Sequence, residues 1–176
     1  MHIRDAGTGD IDGITAIYND AVANTTAIWN ETVVDAANRA AWLADRQRQG
    51  YPVLVAVEDD GTLLGYASFG DWRAFDGYRH TVEHSVYVRD DRRRGGVGRA
   101  LMVALIARAR ALGKHVMVGG IEAGNAPSIR LHETLGFERV GLLPQVGAKF
   151  GRWLDLAFLQ LILDDRTDPD APADAW

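Results

Sequence analysis

The sequence predicts an α+β fold, a mainly antiparallel sheet with helices packed on it and one crossover, and three observations predict it. Val53–Val57 and Leu63–Phe69 are apolar runs of strand length on either side of Asp59-Asp60-Gly61, which reads as a β-hairpin. Thr81–Val88 is β-rich and leads through a turn of arginines and glycines into a helical stretch, Arg99–Leu112, with Leu101, Leu105 and Leu112 on one face. His115–Ile121 then reads as a buried strand, so the helix between them is the crossover.

The other elements fall into place around these. Asp10 is a suitable N-cap for a helix with Ile11, Ile14, Ile17, Tyr18 and Val22 at helical spacing. A second helix follows Asp35, carries Ala37, Ala40, Ala41 and Leu43, and ends near Gly50. Asn125–Leu135 is a short helix stopped by Gly136, and Trp153–Leu163 is a long final strand. Residues 1–163 form one domain, and Asp164–Trp176, an acidic tail rich in Asp, Ala and Pro, is expected to be flexible.

Composition narrows the function by exclusion. A length of 176 residues suffices to bury a core without disulfides or metals, and 47% hydrophobic with 24% charged residues is ordinary for a globular protein. Nineteen basic against 24 acidic residues give a net charge of -5, which argues against a general nucleic-acid binder. The absence of cysteine excludes disulfides, thiolate zinc sites and cysteinyl intermediates. No stretch approaches the ~20 apolar residues of a membrane span, and the N-terminus lacks a signal core. The expectation is a cytoplasmic protein with no membrane partner. The five histidines show no ligand spacing beyond His80 and His84, too far apart on a strand to share an ion, so no metal is expected.

The chemistry concentrates in Val86-Tyr87-Val88-Arg89-Asp90-Asp91-Arg92-Arg93-Arg94-Gly95-Gly96-Val97-Gly98-Arg99. Glycines let a backbone approach an oxyanion closely, and the free N–H groups and dipole of a helix start favour negative charge, so a pyrophosphate fits here. A P-loop needs Lys and Ser or Thr after its last glycine, where this chain has Arg99-Ala100. A dinucleotide fingerprint fails because Leu101 stands where its third glycine belongs.

Arg93-Arg94-Gly95-Gly96-Val97-Gly98 and Asn125-Ala126-Pro127-Ser128 through Gly136-Phe137 together resemble the two signature elements of the GCN5-related N-acetyltransferase (GNAT) superfamily. Ala27-Ile28-Trp29-Asn30, Gly70-Asp71-Trp72-Arg73, Tyr78–Val88 and Gly147–Asp155 look like its phosphinothricin and methionine sulfoximine acetyltransferase branch. The resemblance implies a mixed, mostly antiparallel sheet of about seven strands flanked by about four helices, splayed between the fourth and fifth strands. It implies acetyl-CoA as co-substrate, with Val86, Tyr87 and Val88 along the pantetheine arm. Arg89, Arg93, Arg94, Gly95, Gly96, Val97, Gly98 and Arg99 then meet the pyrophosphate, and Asn125 and Ser128 complete the cofactor contacts. It further implies a small amino-acid analogue as acceptor and a homodimer, with metabolic or toxin defence as the role.

An α-amine is mostly ammonium at neutral pH, so a base must remove a proton before the nitrogen attacks a thioester. Alternation along Thr81–Val88 places Glu83, Ser85 and Tyr87 on one face, and Glu83 stands at the position of the family's general base, acting directly or through water. His132 occupies the place where much of the superfamily has a proton-donating tyrosine, and it is the candidate acid. His84, on the opposite face of the strand, is read as structural. The backbone N–H near Val86 is the candidate for polarising the thioester carbonyl. Ser85 lacks the G-x-S-x-G setting of a nucleophile.

For the substrate, Arg73 and Arg79 flank a loop containing Phe75, Asp76 and Gly77 and offer a carboxylate a guanidinium, while Trp29, Phe75 and Tyr87 offer an apolar wall beside Glu83, Ser85 and Val86. Trp72 and Trp153 read rather as core or dimer packing, and Lys149 and Arg152 as substrate or interface residues. Two other functions stay open: acetylation of protein N-termini or a ribosomal protein, and a non-catalytic acetyl-CoA-binding regulatory domain.

Overall fold

The four helices and five strands read from the pattern are present, and two more strands complete the sheet. In the computed structural model, which describes residues 1–171, the chain runs β1 (His2–Asp5), α1 (Ile11–Asn24), α2 (Ala36–Arg48), β2 (Val53–Val57), β3 (Leu63–Asp71) and β4 (Thr81–Val88). It continues through α3 (Val97–Ala111), β5 (Val116–Glu122), α4 (Ala126–Thr134), β6 (Glu138–Lys149) and β7 (Arg152–Ile162). The seven strands form one sheet in the order β1-β2-β3-β4-β5-β7-β6. All neighbours are antiparallel except β4 and β5, which are parallel and joined by the crossover helix α3.

Strand alternation assigns each helix pair its own face. Leu54, Ala56, Leu64, Ala67, Phe69 and Val82 meet Leu101, Met102 and Leu105 of α3 and Ile129 of α4 in the larger core. Val53, Val55, Val57 and Tyr66 turn the other way, onto Ile11, Ile14 and Ile17 of α1 and Leu43 of α2. In α2 only Leu43 is buried, so its alanines serve helix propensity more than the core. Leu112, expected on the buried face of the crossover helix, lies past the end of α3 and is exposed.

β1 and β6, which the pattern did not reveal, lie at the two edges of the sheet. β1 has Ile3 as its one apolar residue in the strand. β6 contains Gly141, Pro144 and Gly147 and shifts register between Arg139 and Gly141 and between Leu143 and Gly147. Proline and bulges are tolerated at an edge, where a ladder need be satisfied on one side only.

Two local details differ from expectation. Asp10 precedes α1 but makes no side-chain cap; its carboxylate grips Arg4 with two bonds of 2.7 Å and accepts from the Gly7 N–H at 2.8 Å, tying β1 to the helix start. The tail expected to be flexible is anchored in its first half. Asp164 holds His115 Nδ1 at 2.5 Å and Arg166 Nε at 2.9 Å, and Arg166 donates to the carbonyls of Gly113 and Ala171. The remainder of that tail lies outside the described residues.

Candidate active site

The sheet opens where β4 and β5 part. Their pairing covers only Thr81, Val82 and Glu83 against Val116, Met117 and Val118. Beyond that, β4 continues on β3 up to Gly65 opposite Val88, while β5 continues on β7 up to Glu122 opposite Leu156. The Arg89 N–H donates to Leu64 O at 2.9 Å and the Trp72 N–H to Thr81 O at 3.3 Å, so the odd-numbered residues of β4 direct their backbone groups at β3. By strand alternation Val86 and Val88 direct theirs into the opening. An extended amide-bearing chain, such as pantetheine, fits that edge as an added strand.

The basic turn lies at the mouth of the same opening. A one-turn 3-10 helix at Asp90–Arg92 leads into Arg94 and Gly96, both left-handed at φ 66 and 81, and α3 starts at Val97. Gly98 has Leu131 of α4 only 3.4 Å from where a Cβ would stand, which brings the helix start close to α4. Arg93 pairs with Asp90 at 2.9 Å, Arg89 with Asp91 at 2.9 Å and Arg92 with Glu58 at 3.2 Å. All these pairs are partly exposed and therefore weak, able to yield to a pyrophosphate. Arg94 and Arg99 enter no ion pair among the described residues and are exposed. These groups suit acetyl-CoA, with the helix-start amides and arginines on its phosphates. Asn125 acts as the N-cap of α4, accepting from the Ser128 N–H at 3.2 Å, so its Oδ1 is engaged in structure.

Glu83 occupies the last paired position before the opening. Its Oε1 lies 3.2 Å from where a Cβ of Gly120 would stand, and Leu156 Cδ1 and Phe158 Cε1 lie 3.6 and 3.7 Å from the same point. The three side chains thus converge over a bare stretch of β5, and any side chain at position 120 would narrow the space. Burial pushes the Glu83 carboxyl above its ordinary value, with Arg73 pulling partly the other way. Glu83 forms no ion pair among the described residues. Ser85 and Tyr87 follow on its face of the strand, where burial, with Tyr18 nearby, lifts the Tyr87 phenol to about 12.

The expected substrate residues are only partly gathered. Arg73 stacks over Trp72, 5.0 Å from ring centroid to guanidinium carbon, and Trp72 meets Phe158 edge-on at 5.3 Å. Arg79 turns away, pairing with Asp170 at 2.8 Å, so the expected arginine fork reduces to Arg73. Phe75 is exposed before a 3-10 turn holding Asp76 and Gly77. Trp29 is half-buried and its Nε1 donates to Thr26 O at 2.9 Å. Gly120, Glu122, Leu156 and Phe158 were missed as site residues; no sequence signal marks them, since their role follows from facing the opening.

His132 differs most from expectation. It is buried on α4, its ring stacked on His84 with centroids 4.9 Å apart and planes 11° apart, and Phe137 stands edge-on to both. Its Nδ1 lies 2.7 Å from Ser128 O. A carbonyl only accepts, so we assign the proton to Nδ1, which leaves Nε2 with a lone pair and no proton to give. Burial lowers the affinity of both rings for a second proton, His84 to about 3. With that assignment His132 is a neutral, packed imidazole, an arrangement that does not favour the acid role expected of it.

Comparison with known proteins agrees with this geometry. The acetyltransferase (GNAT) family model matches residues 14–137. The chain is 68% identical over 162 residues to a protein of Pseudomonas aeruginosa named L-methionine sulfoximine/L-methionine sulfone acetyltransferase, covering 92% of this chain and 94% of that one. It superposes with a TM-score of 0.92 at 38% identity on a phosphinothricin acetyltransferase of Sinorhizobium meliloti in complex with acetyl-CoA, covering 97% and 92%. It also superposes with a TM-score of 0.90 at 57% identity on a ribosomal-protein-alanine N-acetyltransferase of Brucella melitensis, covering 92% and 99%. The chain belongs to the GNAT family, alongside the methionine sulfoximine and phosphinothricin acetyltransferases, and is an enzyme that uses acetyl-CoA.

Proposed function

We propose that the enzyme acetylates the α-amine of a small amino-acid analogue, L-methionine sulfoximine and L-methionine sulfone first and phosphinothricin next, as a step of metabolic or toxin defence in the cytoplasm. The observation that carries the reading is Glu83, a half-buried carboxylate without an ion pair, at the head of the β4–β5 opening and over Gly120. The named activity of the Pseudomonas aeruginosa relative supports the choice of substrates.

The reaction runs in a ternary complex. Glu83 accepts a proton from the substrate ammonium, directly or through a water, and its raised proton affinity suits it to that task. The freed nitrogen attacks the thioester carbonyl carbon. The backbone N–H of Val86, facing the opening, stabilises the oxyanion. That attack forms the C–N bond; as the tetrahedral intermediate collapses the C–S bond breaks, the nitrogen releases its second proton to solvent, and the thiolate, a good leaving group, takes one from solvent. Arg73 receives the carboxylate of the substrate, and Trp29, Phe158 and Tyr87 bound its side chain.

The enzyme works as a homodimer built on β6 and β7. Val140, Leu142, Val146 and Trp153 on these strands and Phe150 in the turn between them are all more than half exposed, an apolar surface that a second copy of the chain would cover.

The test is thiol release from acetyl-CoA with L-methionine sulfoximine, L-methionine sulfone, L-phosphinothricin and a basic N-terminal peptide, run beside Glu83→Gln. Turnover confined to the amino-acid analogues, and lowered about 100-fold or more in the variant, is expected. Turnover with the peptide alone would establish the second reading, protein acetylation, which the name of the Brucella melitensis structure favours. Cofactor binding without turnover of any of these would overturn the choice of acceptor.

A further inference from the structure

Lys149, the last residue of β6, is 1% exposed. Its ammonium donates to three backbone carbonyls, Val22 O at 2.6 Å, Thr25 O at 2.7 Å and Ile28 O. Val22 lies in the last turn of α1, whose carbonyls have no helical partner, and a cation there also complements the helix dipole. Thr25 and Ile28 belong to the segment that leaves α1 towards α2. All three protons of the ammonium are used, and the residue forms no ion pair among the described residues. An ammonium buried against neutral carbonyls, with the Glu31 charge only partly offsetting its burial, is a costly way to fill space that an apolar chain of similar length would fill as well.

What the lysine holds is the segment bearing Trp29, which is fixed at two further points. The benzo ring of the indole lies against Gly147 of β6, where any Cβ would come within 2.1 Å of its Cζ3. The Thr26 hydroxyl donates to Glu122 of β5 at 3.2 Å, on the strand face that also presents Gly120. Gly147 pairs with Leu154 of β7, and Leu154, Leu156 and Phe158 alternate onto one face of that strand. Trp29 therefore sits at one end of the row whose other members enclose Glu83.

We propose that Lys149 is a positioning residue for the amine pocket: it locks the 25–30 segment so that Trp29 stays seated on Gly147 as a rigid wall, and thereby sets the size of amino-acid side chain accepted. The inference rests on the acetyl-transfer reading given above. Acetyl-CoA, entering at the other end of the opening, is not touched by this wall.

The test uses the full chain labelled with 5-fluorotryptophan, the Trp29 resonance being assigned through Trp29→Phe, together with steady-state kinetics on L-methionine sulfone. Lys149→Met is expected to shift or broaden the Trp29 resonance and to raise KM for the sulfone about ten-fold, with KM for acetyl-CoA and kcat within about two-fold. Gly147→Ala, which leaves the ammonium in place and unseats only the ring, is expected to act alike, and it carries the test if Lys149→Met does not fold. The proposal is overturned if the variants leave the Trp29 resonance and the sulfone KM as in the parent, or raise both KM values equally. If the parent enzyme turns over no amino-acid analogue, the functional reading fails instead, and the Trp29 resonance alone still decides whether Lys149 holds the wall.

Discussion

The imidazoles of His84 and His132 face one another in parallel, 4.9 Å apart, and three of their four ring nitrogens are buried without a hydrogen-bond partner among the described residues. Neither ring can become charged there cheaply, so the pair acts as an acid-sensitive element of the core. Above the ordinary histidine value of 6.5 both folded and unfolded chains hold the rings neutral, and no penalty exists. As pH falls below 6.5 the unfolded chain takes up protons that folded His84 refuses until about 3, so stability declines across that window. At pH 5 the loss from His84 alone is about 2 kcal/mol. Urea unfolding at pH 7 and pH 5 measures it, and His84→Phe should flatten the difference.

Gly65 of β3 stands opposite Val88, and a Cβ there would approach Tyr87 O to 2.7 Å, a contact that backbone cannot relieve by rotating a side chain. Gly65→Ala should push the end of β4 outward and cost about 1–3 kcal/mol in thermal or urea unfolding. Because Val86 and Val88 form the edge of the opening, KM for acetyl-CoA should rise in the same variant while KM for the amine changes less. Equal changes in both would contradict the assignment of that edge.

Gly96 provides the left-handed residue just before α3, at φ 81. Alanine there carries about 1–2 kcal/mol of backbone strain, which the turn can relieve by tilting the amides that start the helix. Gly96→Ala is expected to weaken acetyl-CoA about ten-fold by calorimetric titration, an estimate equal to the strain if all of it falls on binding. An unchanged affinity would move the pyrophosphate away from this turn.

Trp153, 68% exposed, stands on β7 beside the exposed residues of β6. Light scattering on the parent chain is expected to give the dimer mass, and Trp153→Glu to shift it towards the monomer at micromolar concentration. A monomeric parent would remove the dimer from the reading.

The sequence was legible wherever one segment carried its own signal. Strands buried on both faces, such as Val53–Val57, read as apolar runs, and Arg93–Gly98 carried the composition an oxyanion needs. Period-two alternation separated Glu83 from Val82 and His84, and the resemblance of its position to that of the family's base made it the candidate. β1 and β6 escaped because edge strands need little apolar surface and tolerate proline and glycine. Lys149 and Arg79 were ambiguous for a different reason: a long cationic side chain can reach in several directions, and only the fold determines that one caps α1 and the other holds Asp170. His132 was placed correctly on its helix, but its tautomer depends on a carbonyl one turn away that the sequence does not display.

Among the described residues, three pairs between β4 and β5, with the His80 carbonyl just before them accepting from the N–H groups of His115 and Val116, join by backbone bonding the two halves of the sheet, β1 to β4 on one side and β5, β7 and β6 on the other. Mechanically this is a short seam beside a long slit. A ligand arm lying in the slit and bonding both lips would act as a cross-brace, so the protein should be stiffer when charged with its acetyl donor and more easily opened by heat or proteases when the donor runs out. The supply of acetyl-CoA would then govern how long the enzyme lasts as well as how fast it works.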